Sequence, residues 1–186
     1  LDYFGDPLIF RDDYYYDANG DNHLIESFAI LGDDEFPGGR TVSSYYEHLP
    51  IEIAVYIYDG PDTIPQSRAN MAYTTFGAIR RRMDFEWDAE KDAFRMNQTI
   101  DYTYDFAQRL SLKETAFLPL NAPEEREMVV YAYIQDDNLV RETILLWNDD
   151  LFDWVMDSKK WFYYNTLVSV DPTPGPARAL KMSPNP

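Results

Sequence analysis

The segment from Glu127 to Trp147 constrains the fold more than any other. Two runs, Glu127 to Ile134 and Leu139 to Trp147, are rich in β-branched and aromatic residues, and Gln135-Asp136-Asp137-Asn138 separates them. Such residues suit a pleated, half-buried surface, so the pattern predicts two antiparallel strands joined by a short polar loop. The same grammar recurs upstream. In Ile51 to Tyr58 the residues Ile51, Ile53, Val55 and Ile57 fall on one face, with Glu52, Ala54, Tyr56 and Tyr58 on the other. Asp59-Gly60-Pro61-Asp62 then supplies turn chemistry. A hairpin is expected from Arg82 to Met96, where Met83, Phe85 and Trp87 alternate with acids and Asp88 to Asp92 form the loop. Fainter strands are expected over Thr99 to Phe106, Arg109 to Phe117 and Trp161 to Val170.

Helical signals are thin. Met71 to Arg82 and Asp150 to Lys159 each read as a short helix, the second with Asp150 as N-cap, although Trp154 and Val155 could equally start a strand. No repeat of fixed period is visible. With 186 residues the chain is long enough for one large domain or two small ones. The expected fold is mainly β, an antiparallel β-sandwich of immunoglobulin-like or jelly-roll-like type with few short helices. Residues 1–40 have poor periodicity and read as a loop-rich lead-in packed on a sandwich spanning 41–170. Asp171-Pro172-Thr173-Pro174-Gly175-Pro176 opens a stiff, proline-rich linker and tail, 171–186.

Charge narrows the partners. Sixteen basic residues against thirty-three acidic ones leave a net charge of −17. Such a surface repels phosphate backbones and anionic headgroups, so neither nucleic acid nor an anionic membrane is an expected partner. A protein partner or a glycan remains. Aromatic residues make up 16 % of the chain, far more than a solvated acidic tail carries, so the acidity does not signal disorder. Cysteine is absent, which removes disulfides, thiolate metal sites and thiol nucleophiles. No apolar run approaches the ~20 residues that a membrane-spanning helix needs.

The most chemical stretch is Asp12-Asp13-Tyr14-Tyr15-Tyr16-Asp17-Ala18-Asn19-Gly20-Asp21-Asn22. Asp17, Asn19 and Asp21 place oxygen side chains at alternate positions, as a calcium loop does, and Glu26 could stand in for the missing bidentate acid. The glycine falls early in the loop and Phe28 stands where that acid belongs, so the stretch also reads as a water-exposed Asx turn. Tyr14, Tyr16, Tyr45 and Tyr46 lie beside acids and could stack sugar rings, or simply serve the sheet. Arg80-Arg81-Arg82 is expected to form cross-strand ion pairs with Asp84, Glu86 or other nearby acids. Catalytic inventory is poor: the histidines are His23 and His48, and Ser43, Ser44 and His48 are close only along the chain. The expectation is therefore a protein that is not an enzyme.

The closing residues Ala179-Leu180-Lys181-Met182-Ser183-Pro184-Asn185-Pro186 resemble the opening of the C-terminal sorting domain of type IX secretion cargo. That opening carries hydrophobic residues followed by a Pro-Asn-Pro step, commonly with an aromatic where Ser183 stands. The resemblance covers the tail alone. It implies a secreted or cell-surface protein of the Bacteroidota type, and that the sequence is a portion of a longer protein. Asp62-Thr63-Ile64 is similar to the O-glycosylation sequon of such organisms. The resemblance implies delivery and no particular activity. The sequence therefore leads to a non-catalytic β domain for adhesion or assembly with protein partners. The alternatives are a carbohydrate-binding module with a structural calcium and an accessory domain of a secreted hydrolase.

Overall fold

A computed structural model describes residues 8–31, 33–119, 122–134 and 138–163. Among these the chain is all β. The strands are β1 (Leu8–Tyr16), β2 (Asn22–Leu31), β3 (Asp34–Tyr46), β4 (Leu49–Asp59), β5 (Asp62–Tyr73) and β6 (Ile79–Asp88). They continue with β7 (Ala93–Tyr104), β8 (Leu110–Phe117), β9 (Glu125–Tyr133), β10 (Leu139–Asn148) and β11 (Asp153–Trp161). Each strand pairs antiparallel with the one before it, so order along the chain is order across a single open sheet of eleven strands.

The strongly alternating segments fold as read: Ile51 to Tyr58 lies in β4, the Arg82 to Met96 hairpin in β6 and β7, and the Glu127 to Trp147 pair in β9 and β10. Thr99 to Tyr104 and Leu110 to Phe117 lie in β7 and β8, and residues 164–170 of the last expected strand lie outside the described residues. Four expectations need correction. The described residues form one sheet, where a two-layer sandwich was expected. The helix expected at Met71 to Arg82 is the end of β5, a turn and the start of β6, because Gly77 (φ 85°) reverses the chain at its centre. The helix expected at Asp150 to Lys159 is a turn through Phe152 (φ 49°) followed by β11. The loop-rich lead-in of residues 1–40 instead holds β1, β2 and the first half of β3. Their side chains mix polar and apolar residues on both faces, which hides the alternation. The tail, 171–186, lies outside the described residues.

The pairing register defines two faces. The front carries Ile53, Val55, Ala69, Ile100, Thr115 and Val129; the back carries Arg40, Ala54, Arg68, Glu114 and Met128. Burial is sparse on both. Ala54, Ile100, Val129 and Thr115 are buried, whereas Ile51 and Ile57 on the aliphatic side of β4 are each 40 % exposed. With one layer, no opposing sheet covers that side. Stability therefore rests on cross-strand pairs between neighbours, as in repeat proteins.

A repeat does exist, and hydrogen bonding reveals it. The turns Asp17–Asp21, Thr74–Ala78 and Asp105–Arg109 share one design. The first residue's N–H donates to the last residue's carbonyl at 2.9, 2.8 and 2.9 Å. Its side-chain oxygen accepts the last residue's N–H at 3.0, 3.1 and 3.0 Å. The fourth residue takes positive φ in each: Gly20 (85°), Gly77 (85°) and Gln108 (63°). Beside the turns at this end of the sheet, a tyrosine hydroxyl donates to the neighbouring strand's first or second carbonyl. The pairs are Tyr45 to Asn22 (2.8 Å), Tyr73 to Pro50 (2.7 Å), Tyr104 to Ile79 (2.8 Å) and Tyr133 to Leu110 (2.8 Å). The unit is thus a two-strand hairpin recurring about every 30 residues. Replacing Tyr104 by phenylalanine removes one such bond and should cost about 1 kcal/mol in urea unfolding, with unchanged circular dichroism.

Candidate functional site

The residues singled out in the sequence gather at one end of the sheet. The β1–β2 turn lies beside the two-residue β3–β4 turn, in which Glu47 and His48 both take positive φ. Together they line an open cavity of about 390 Å³ with Asp17, Asn19, Asp21, His23, Ser43, Ser44 and Tyr45. The turn itself fixes the chemistry of Asp17. Its Oδ1 accepts the N–H groups of Asn19 (2.8 Å) and Asp21 (3.0 Å), and these bonds hold its carboxyl below the usual range. That is the Asx-turn arrangement.

Asp21 points the other way, across to His48, whose Nδ1 lies 3.0 Å from its Oδ1. The carboxylate favours the imidazolium, so the His48 pKa is raised. A group whose folded pKa is raised stabilises the fold below its unfolded value of about 6.5, and this is lost as pH rises through the folded pKa. His48 should titrate above the ordinary histidine value by NMR, and Asp21→Asn should return it there; an unchanged titration in Asp21→Asn would contradict the pairing. Chemically the pair is a charge-assisted hydrogen bond that latches two turns together. Among the described residues, no hydroxyl is hydrogen-bonded to His48, so Ser43 and Ser44 share its cavity without forming a relay.

Glu26 is not brought to this cluster. It sits further along β2, where Tyr15 (3.1 Å) and Tyr58 (3.4 Å) donate to its carboxylate. Four residues of strand, about 13 Å, separate it from Asn22. Asp17, Asn19 and Asp21 thus line one cavity without their fourth expected ligand, and no described group of three or more acids and histidines is spaced to hold a metal. The tyrosines divide too. Tyr14, Tyr16 and Tyr45 share the front face and Tyr46 stands on the back. Tyr14 and Tyr16 are exposed, whereas the Tyr45 hydroxyl is committed to Asn22. Arg81 forms a cross-strand ion pair as expected, with Asp101 (2.6 Å), whereas Arg82 pairs with Asp84 (2.7 Å) on its own strand.

Sequence reasoning missed two features. One is a ladder of guanidinium groups over rings on the back face: Arg11 over Phe28 (4.7 Å), Arg40 over Tyr56 (5.0 Å), and Arg68 over Phe85 (4.7 Å) and Phe94 (4.8 Å). The signal was available, since Phe28, Tyr56 and Phe85 each stand on the strand that follows their arginine's. The second is a back-face groove of about 350 Å³, whose lining includes Met96, Asp101, Glu114, Glu124, Arg126 and Trp154. A flat sheet would hold β7 and β11 about 19 Å apart, so a groove touching both marks an inward curl of the back face.

No family model matches the chain, and no curated protein matches it either. Among solved structures it is similar to a protein of unknown function from Bacteroides fragilis, at 13 % identity and TM-score 0.42, covering 83 % of this chain and 93 % of that one. A DUF3836 family protein from Bacteroides vulgatus is similar at 11 % identity and TM-score 0.35, covering 63 % and 88 %. Another, from Parabacteroides distasonis, is similar at 13 % identity and TM-score 0.32, covering 82 % and 91 %. No helix among the described residues is long and apolar enough to cross a membrane.

Proposed function

We propose that this chain is a non-catalytic, secreted or cell-surface β domain that recognises protein partners in adhesion or assembly. One observation carries the reading: large apolar side chains stand exposed on both faces of a single-layer sheet. Phe10 (75 %), Phe36 (51 %) and Ile57 lie on the front, and Tyr46 (65 %), Met156 (55 %) and Trp161 (53 %) on the back. Exposed apolar area rimmed by charge is characteristic of surfaces that bind. A partner lying on one face would complete the two-layer packing that the sequence led us to expect. The negative surface favours a basic partner and speeds its approach. Delivery to the cell surface rests on the resemblance of the tail.

A second reading, a carbohydrate-binding module with a structural calcium, draws on Asp12, Tyr14 and Tyr16 standing together on the front of β1. An accessory role beside a secreted hydrolase would use the same surface. A protein array and a glycan array probed with the same folded domain separate these readings. Protein signals that fall in a Phe10→Ser/Phe36→Ser double variant support the first. Signals confined to glycans and lost in Tyr14→Ala would overturn it, and calcium-dependent melting would add the metal.

A further inference from the structure

We propose that the back-face groove in front of Trp154 receives an arginine side chain from a protein partner. This deepens the reading above and rests on it. Two hairpins of the repeat carry the same kind of aromatic pair. In β6–β7, Trp87 faces Phe94 across the strands, the rings 5.1 Å apart and nearly perpendicular (74°). In β10–β11, Trp147 faces Trp154 in the same way, at 5.5 Å and 75°. Both pairs sit one step before their loops.

The strand before each hairpin then differs. Arg68 of β5 pairs with Phe85 and lays its guanidinium over Phe85 and Phe94. The equivalent residue of β9 is Met128, which pairs with Leu145. Among the described residues no cation stands over Trp154. The aromatic pair is repeated while its guanidinium is missing.

The groove's charges favour a cation there. Asp101 is held by Arg81, and Glu124 by Arg126 at 2.6 Å. Glu114 lines the groove and accepts no hydrogen bond from a described residue, although Arg126 in the same lining stands near enough to feel its charge. An arginine from outside would place its plane on the indole and its N–H groups toward Glu114, the donors and the flat face that a guanidinium offers and an ammonium does not. The partner would then supply between chains the contact that Arg68 makes within one.

The test follows the indole N–H signals of Trp147 and Trp154 by NMR while Nα-acetyl-arginine amide is added to the folded protein. A saturable shift at Trp154 is expected. It should weaken about tenfold in Met128→Arg, which restores the missing guanidinium from within, and a few-fold in Glu114→Gln. Glu142→Gln, on the opposite face, should titrate as the wild type does. A folded Met128→Arg that still titrates like wild type would overturn the proposal, as would a Trp154 shift produced by maltohexaose in place of the arginine amide. A negative titration with partner binding intact on the protein array refutes this site alone; loss of both refutes the broader reading.

Discussion

Gly39→Val is expected to be among the most damaging single changes in this protein, lowering stability by about 3 kcal/mol in urea unfolding. Gly39 lies in β3 opposite Ile57, just past a bulge at Gly38. A Cβ built there would sit 2.6 Å from the carbonyl oxygen of Tyr56. The obstacle is backbone of the neighbouring strand, which cannot swing aside as a long side chain would, so the β3–β4 ladder must open. Gly20 makes the contrast. A Cβ there meets nothing within 4 Å, and the cost of alanine comes only from its φ of 85°. About 1 kcal/mol is expected, with asparagine tolerated better. Equal effects at the two glycines would contradict the close approach of β3 and β4.

Ile100→Ala should cost about 2–4 kcal/mol, the range for emptying a buried aliphatic site. Ile100 is 8 % exposed, paired with Arg82 on one side and with buried Thr115 on the other. Ile57→Ala, on the same face at 40 % exposure, should cost under about 1 kcal/mol. Because the strands pack mainly against their sequence neighbours, the damage should stay local. Hydrogen exchange should accelerate across β6 to β9 and change little in β1 to β3. Uniform loss of protection over all eleven strands would point to a shared core that this sheet lacks.

The strands legible in the sequence are those where apolar and polar residues alternate cleanly, such as Ile51 to Tyr58. Alternation says that two faces differ; it does not say whether a second layer covers one of them. Both a sandwich and a single sheet satisfy it. The period-two signal also fails where both faces are mixed, as in β1 and β2, which read as loop. Met71 to Arg82 misled because its turn residues, Thr74 to Ala78, lack proline and asparagine and include a lone glycine. The repeat was obscured by the compressed turn at Glu47-His48 and by Gln108 standing where Gly20 and Gly77 do. At the site, Asp17, Asn19 and Asp21 were legible as a cluster because they are close in sequence. The Asp21–His48 latch joins two turns that only strand pairing brings together.

Strands adjacent in sequence are adjacent in space, all in one layer. Spin labels at Ser43 on β3 and Ser158 on β11, both on the front face and near the same sheet end, test it by pulsed dipolar spectroscopy. Strand spacing predicts about 30–40 Å once the curl of the sheet is allowed for. A distance under about 20 Å would place the two strands in facing layers and contradict the account.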